Sequence, residues 1–169
     1  MNRIETDRLE IAEFTITDAP FIVALTNSPG WLQFIGDRGI KNITDAENYL
    51  INGPMTSYEK FGHGLCRVSL KNNGEPIGMC GLIKRDTLDN KDIGFAFLPA
   101  YTGNGYALES ATAVLSETKK KFAHERIAAI TLPDNERSIN LLTKLGLVFE
   151  KIVVFPPKDE ELMLFLTPA

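Results

Sequence analysis

The sequence predicts a single α/β domain on a mixed sheet. Seven segments read as strands: 9–14, 64–70, 76–84, 91–98, 126–132, 147–155 and 162–166. Between them lie stretches with helical apolar spacing, at 17–26, 44–61, 104–122 and 136–145. The order is therefore β-α-α-β-β-β-α-β-α-β-β. The length, 169 residues, is ordinary for one domain with one sizeable core.

Leu9-Glu10-Ile11-Ala12-Glu13-Phe14 alternates apolar with polar or small residues, the period of a strand. Thr17 is the expected N-cap of the first helix, with Asp18 in its first turn and Pro20 tolerated beside it. This helix runs to about Thr26 and stops before Ser28-Pro29-Gly30. Residues 31–43 read as a loop or short helix anchored by Trp31, Leu32, Phe34 and Ile35. Thr44 is the expected second N-cap, with Glu47 completing a capping box. Gly53-Pro54 breaks or kinks that helix before it resumes through Phe61. Segments 64–70, 76–84 and 91–98 form an antiparallel meander, with Asn72-Asn73-Gly74 turning the first pair. Helix 104–122 places Ala107, Ala111, Val114, Leu115 and Phe122 on one face. Segment 126–132 is apolar enough to lie centrally in the sheet. Asn135 is the expected N-cap of helix 136–145 and Gly146 its stop. Pro156-Pro157-Lys158-Asp159 links the last two strands.

Composition narrows the function. Hydrophobic content of 44% and charged content of 24% read as globular. The net charge is −4 and the only basic run, Lys119-Lys120-Lys121, closes a helix, so nucleic acid is not an expected partner. No apolar segment approaches the roughly 20 residues that span a bilayer, and residues 1–7 carry no signal-peptide core; the expectation is a cytoplasmic protein. Cys66 and Cys80 read as buried thiols in strands. His63 and His124 are remote from both and from each other, so no metal is expected.

The chemistry begins at Thr102-Gly103-Asn104-Gly105-Tyr106-Ala107, where a strand turns through two glycines into a helix. Such a turn lets a ligand approach backbone amides that lack intrahelical partners, at the positive end of the helix dipole. A phosphate or pyrophosphate is the natural guest; a plain strand-to-helix turn is the alternative. The loop is not a P-loop, since Tyr106-Ala107 replaces Lys-Ser/Thr. It is not the dinucleotide fingerprint, since Leu108 occupies the place of the third glycine.

The loop resembles the acyl-CoA loop of the GNAT acetyltransferases, Gln/Arg-x-x-Gly-x-Gly/Ala, through Gly105 and Ala107; Thr102 departs from the usual Gln or Arg. Other segments resemble one branch of that superfamily, the ribosomal-protein N-terminal alanine acetyltransferases. They are Glu5-Thr6-Asp7-Arg8-Leu9, Gly78-Met79-Cys80-Gly81-Leu82, Asp92-Ile93-Gly94-Phe95, Gly105-Tyr106-Ala107-Leu108-Glu109, and Asn135-Glu136-Arg137-Ser138 followed by Leu145-Gly146-Leu147. The resemblance spans nearly the whole chain. It implies a single GNAT-like domain over 1–169, with a mostly antiparallel sheet split between its fourth and fifth strands, 91–98 and 126–132.

The resemblance also implies an acetyl-CoA cosubstrate, no metal, and a primary amine acceptor, either a protein N-terminus or a small molecule, handled by a monomer or homodimer. Backbone of Phe95, Ala96, Phe97 and Leu98 would hold pantetheine like an added strand. Gly103, Asn104, Gly105, Tyr106 and Ala107 would hold the pyrophosphate. Gly94 and Ala96 are small enough for a close ligand, or they face the helix behind. Asn135 would reach the pantetheine and Ser138 the sulfur, and both also suit a helix start. Asp92 stands where the family has its glutamate, as a base or as a solvated charge beside Lys91. Trp31 and Phe34 are candidates for the acceptor side. The rival reading is a CoA-binding regulatory module without catalysis, permitted by Asp92, Thr102 and the absence of tyrosine in 136–145.

Overall fold

The strand over Pro76–Ile83 is buried continuously from Ile77 to Leu82, so helices must cover both faces of the sheet. The computed structural model describes residues 3–156 and 158–169. In chain order the elements are β1 (Ile4–Glu5), β2 (Leu9–Glu13), α1 (Ala19–Thr26), α2 (Pro29–Phe34), α3 (Ile43–Leu50), α4 (Thr56–Phe61), β3 (Leu65–Leu70), β4 (Pro76–Ile83), β5 (Asp92–Phe97), α5 (Tyr106–Lys121), β6 (Ala128–Thr131), α6 (Glu136–Lys144), β7 (Val148–Phe155) and β8 (Glu160–Leu166). The strands form one sheet in the order β1-β2-β3-β4-β5-β6-β8-β7. It is antiparallel except for the β5–β6 contact.

Two apolar layers sandwich the sheet. On one face Ile11, Cys66, Val68, Cys80, Leu82 and Ile93 pack with Ala111 and Val114 of α5 and Leu142 of α6. On the other, Met79 meets Phe21, Ile22 and Leu25 of α1, Trp31 of α2, and Ala46 and Leu50 of α3. Ser110 and Thr118 also turn inward on α5; their hydroxyls donate to Ala107 O at 3.1 Å and Val114 O at 2.8 Å, so burial leaves neither unpaired. Cys66 and Cys80 are register partners on adjacent strands, and both are free and buried. Burial pushes both thiols up to about 12, which keeps them protonated near neutral pH. Among the described residues no helix is long and apolar enough to cross a membrane.

Two helix starts differ from the sequence reading. The turn before α1 is capped by Thr15, not Thr17: Asp18 Oδ2 accepts from Thr15 N–H at 2.8 Å, and a 3-10 turn over Ile16–Asp18 precedes the helix. Thr17 spends its hydroxyl on that of Thr15, at 2.7 Å. At α3 the cap is Asn42, whose Oδ1 accepts from Asp45 N–H at 2.9 Å, while Asp45 Oδ2 accepts from Lys41 N–H at 2.9 Å. The capping pair lies two residues before Thr44 because asparagine in extended conformation satisfies the orphan amide at least as well as threonine. Asn42→Ala should therefore cost about 1 kcal/mol, a fall in melting temperature of roughly 2–4 °C at this size. Thr44→Ala should leave the melting temperature nearly unchanged, and calorimetry of the two variants checks the assignment.

Elsewhere, Gly53-Pro54 is carried in a π-helical turn over Ile51–Met55 that runs into α4, and Gly62 ends α4 at φ +68°. The loop-or-short-helix segment 31–43 opens inside α2, which starts earlier, capped at Ser28 with Pro29 at its first position. The short β1 pairs with β2 and adds a strand before the expected first one, so the expected fourth and fifth strands are β5 and β6. Gly146, at φ +83°, closes α6: its N–H donates to Thr143 O at 3.0 Å and Leu147 N–H donates to Leu142 O at 3.0 Å. In the linker before β8, Pro157 lies outside the described residues.

Candidate functional site

The sheet opens between its central strands. β4 and β5 pair continuously from Gly78↔Phe97 to Ile83↔Asp92. β5 and β6 are parallel, and among the described residues they share a single register pair, Asp92↔Ala128, closed by Ala128 N–H donating to Lys91 O at 2.8 Å. Beyond it β6 pairs with β8, from Ala128↔Leu166 to Thr131↔Met163. From Ile93 to Phe97, β5 thus has no strand partner on its β6 side. Backbone polar groups along such an edge demand a hydrogen-bonding guest or water.

The glycine loop stands at the far end of that edge. Leu98 leads into a 3-10 turn over Pro99–Tyr101, and Thr102 Oγ1–H donates back to Pro99 O at 2.9 Å. Thr102 is thereby spent on its own turn. Gly103 and Gly105 both lie at φ +81°, the left-handed region that favours glycine. The first hydrogen bond of α5 runs from Glu109 N–H to Gly105 O at 3.0 Å. Helix geometry leaves the amides of Tyr106, Ala107 and Leu108 without carbonyl partners inside α5. A side chain on Gly105 would meet Arg8 Nη2 at 3.3 Å, whereas one on Gly103 meets nothing within 4 Å.

Asp92 sits where the two strands part. Its side chain is only 2% exposed, which overturns the solvated-charge alternative; Lys91 pairs with Glu125 instead. Arg85 Nε–H donates to Asp92 Oδ2 at 3.0 Å. Oδ1 is buried with no hydrogen-bond partner. Burial pushes the Asp92 carboxyl above its ordinary range, and the charge and hydrogen bond of Arg85 oppose this only in part. The sequence reading missed Arg85; the available signal was the hairpin register, which brings the loop after β4 back against the first residue of β5.

The small residues of β5 are explained by packing. A side chain on Gly94 would lie 2.8 Å from Ile83 Cδ1 and 3.4 Å from Leu65 Cδ2. Ala96 and Leu98 pack against the α1–α3 layer, while Phe95 and Phe97 pack on the α5 side. Gly94 is thus small because Ile83 and Leu65 of the neighbouring strands crowd it, and Ala96 because it packs under the α1–α3 layer.

Asn135 and Ser138 follow β6 and open α6. Asn135 Oδ1 accepts from Ser138 N–H at 3.2 Å, so this asparagine is the N-cap its spacing predicts. Both side chains are partly exposed. Trp31 is 6% exposed and packs in the α1–α3 layer. The sequence offered it as an acceptor-side candidate, but it is a core residue on the inner face of α2, and its buried Nε1 has no hydrogen-bond partner. Phe34, one turn on, is partly exposed. Among the described residues no group of three His, Cys, Asp or Glu is placed to hold a metal.

The sequence itself matches a known family. Residues 8–148 fit the family model described as an acetyltransferase (GNAT) domain. The chain belongs to the GNAT acetyltransferase family. A relative, the uncharacterized N-acetyltransferase YnaD of Bacillus subtilis (strain 168), is 29% identical over 162 residues, covering 94% of this chain and 90% of that one. Among solved structures, an acetyltransferase from Agrobacterium tumefaciens str. C58 superposes with a TM-score of 0.83 at 21% identity, covering 100% of this chain and 95% of that one. The ribosomal L7/L12 α-N-protein acetyltransferase RimL, solved in complex with coenzyme A, has a TM-score of 0.82 at 13% identity, covering 98% and 97%. This acetyltransferase thus shares the GNAT fold along its whole length.

Proposed function

We propose that this acetyltransferase moves the acetyl group of acetyl-CoA directly to a primary amine, a protein N-terminus or a small amine, in a ternary complex. The observation that carries the reading is the β5 edge left open after a single pair with β6, with the glycine loop at its end. Pantetheine amides would complete that edge over Phe95 to Leu98 as an added strand does. The pyrophosphate would rest on the amides of Gly103 to Ala107. The coenzyme A bound to RimL supports the choice of cofactor.

The chemistry needs a neutral amine, because an ammonium has no lone pair to attack with. Asp92, buried and held by one oxygen to Arg85, offers Oδ1 as the acceptor of the amine's proton, directly or through a water. The amine nitrogen then bonds to the acetyl carbon. A backbone N–H of β5 stabilises the oxyanion, and the C–S bond breaks to release thiolate. Ser138 is the candidate to relay to that sulfur the second proton that the nitrogen sheds in becoming the amide, with Asn135 bonded to its backbone amide. Phe34 is retained as an acceptor-side candidate; Trp31, buried in the α1–α3 layer, is not.

Ser138 has a structural duty as well, and kinetics separate the two. If its hydroxyl assists the thiolate, Ser138→Ala should lower kcat by at least fivefold with the acetyl-CoA Kd unchanged. A lower melting temperature with intact turnover would assign it to the helix start alone. The broader test is thiol release from acetyl-CoA across ribosomal-protein N-terminal peptides, polyamines and aminoglycosides. Amine-dependent release is expected for at least one class. Tight acetyl-CoA binding with no release for any amine would mark a regulatory module.

A further inference from the structure

The turn between β1 and β2 closes onto the glycine loop through one carboxylate. Glu109, on the first turn of α5 and 19% exposed, accepts three hydrogen bonds from that turn. They come from Thr6 Oγ1–H at 2.6 Å, Arg8 N–H at 3.0 Å and Arg8 Nε–H at 2.7 Å. Burial works against ionising Glu109, but these bonds and the Arg8 charge outweigh it and hold the carboxyl below its usual range. Arg8 reaches further. Its Nη1–H donates to Asn104 O at 2.9 Å, and its guanidinium carbon lies 4.4 Å from the centre of the Tyr106 ring. One arginine therefore holds the loop's carbonyl, the first residue of α5 and the carboxylate one turn on.

An exposed ion pair of this kind adds little to stability. Its effect on the loop is larger. In a trans peptide the C=O and the following N–H point to opposite sides. Tying Asn104 O to Arg8 turns the Gly105 N–H away from Arg8 and removes a carbonyl dipole that would oppose an anion. The Glu109 carboxylate would otherwise stand uncompensated close to two phosphates.

We propose that Arg8 and Glu109 are positioning residues for cofactor binding, a neutralised clamp that sets the glycine loop to accept the pyrophosphate of acetyl-CoA. This rests on the reading of Gly103 to Ala107 as the pyrophosphate site. It makes a prediction that a bare structural role does not: removing only the cation should harm binding more than removing both charges.

The test is calorimetric titration of acetyl-CoA, and of S-acetylpantetheine, which lacks the phosphates, into wild type, Arg8→Gln, Glu109→Gln and the double variant, each checked for a cooperative melt. Arg8→Gln should weaken acetyl-CoA at least tenfold and leave S-acetylpantetheine within twofold. It should raise the acetyl-CoA KM with kcat at saturation nearly unchanged. The double variant should bind acetyl-CoA at least threefold tighter than Arg8→Gln. The double variant, with no unpaired charge, keeps the comparison available against Glu109→Gln if Arg8→Gln does not fold: the two should then bind acetyl-CoA within threefold of each other. Equal weakening of both ligands, wild-type affinity in folded Arg8→Gln, or a double variant no tighter than Arg8→Gln overturns the clamp. Where Arg8→Gln does not fold, a double variant more than threefold weaker than Glu109→Gln does so too. Failure of wild type to bind acetyl-CoA would instead overturn the reading of the loop itself.

Discussion

Asp92→Asn should lower turnover by about 10²–10⁴-fold, the usual worth of a general base, while the protein becomes no less stable. The two halves of this expectation come from the same burial. The side chain is almost wholly enclosed at the point where β5 and β6 part, with one oxygen on Arg85 and the other unpartnered. Burial favours the protonated form, so the folded state holds this proton to higher pH than the unfolded chain, where aspartate titrates near about 3.9. The unfolded state then binds fewer protons between the two values, and stability falls as pH rises through that window. The lost stability stays lost above it. Asparagine has no charge to bury, and Arg85, a third exposed, can turn to water. The melting temperature of Asp92→Asn at neutral pH should equal or exceed that of wild type. Activity has the opposite sign. As a base Asp92 works only after losing its proton, so kcat/KM should rise with pH through a limb above the ordinary carboxylate range, and Asp92→Asn should lack that limb. Wild-type rate and pH dependence in the variant would remove Asp92 from the chemistry.

Gly105→Val should weaken acetyl-CoA binding at least tenfold. Gly105 sits at φ +81°, where a β-branched residue costs on the order of 1–3 kcal/mol. The added carbon would also press on Arg8 Nη2 at 3.3 Å. The variant must either lose the left-handed turn or displace the arginine that holds it, and both move the amides at the start of α5. Gly103 is a useful contrast: it has the same φ but open space around it, so Gly103→Ala meets backbone strain alone. Calorimetric titration of the folded Gly105→Val protein checks the assignment. Unchanged affinity would place the pyrophosphate elsewhere.

What was legible in the sequence were features with a strict local cause. Alternation placed β2, and Gly146 stopped α6, because side-chain period and left-handed glycine act over a few residues. The two early caps were misplaced because Thr15, Thr17, Asn42 and Thr44 all carry suitable oxygens, and tertiary packing of α1 and α3 decides which residue stays extended. Trp31 illustrates a different limit. A large aromatic beside a proline and a glycine was offered as an acceptor-side contact, and only the α1–α3 layer shows that it is enclosed. The site divides in the same way. The glycine loop was visible because φ demands glycine. Arg85 against Asp92 and Arg8 against Glu109 were not, because each pair is made by folding distant or oppositely running segments together. The burial of Asp92 was equally hidden, since nothing local distinguishes an enclosed aspartate from a solvated one.

Amide hydrogen exchange on adding acetyl-CoA tests the central claim most directly. If pantetheine completes the β5 edge and the loop amides hold the pyrophosphate, peptides covering 93–98 and 103–108 should gain protection, as backbone groups that had exchanged with water acquire partners. Peptides from β2 and β3, which are already paired on both sides, should not change. Protection confined to other surfaces, or saturating acetyl-CoA with no protection at 93–98, would contradict the account.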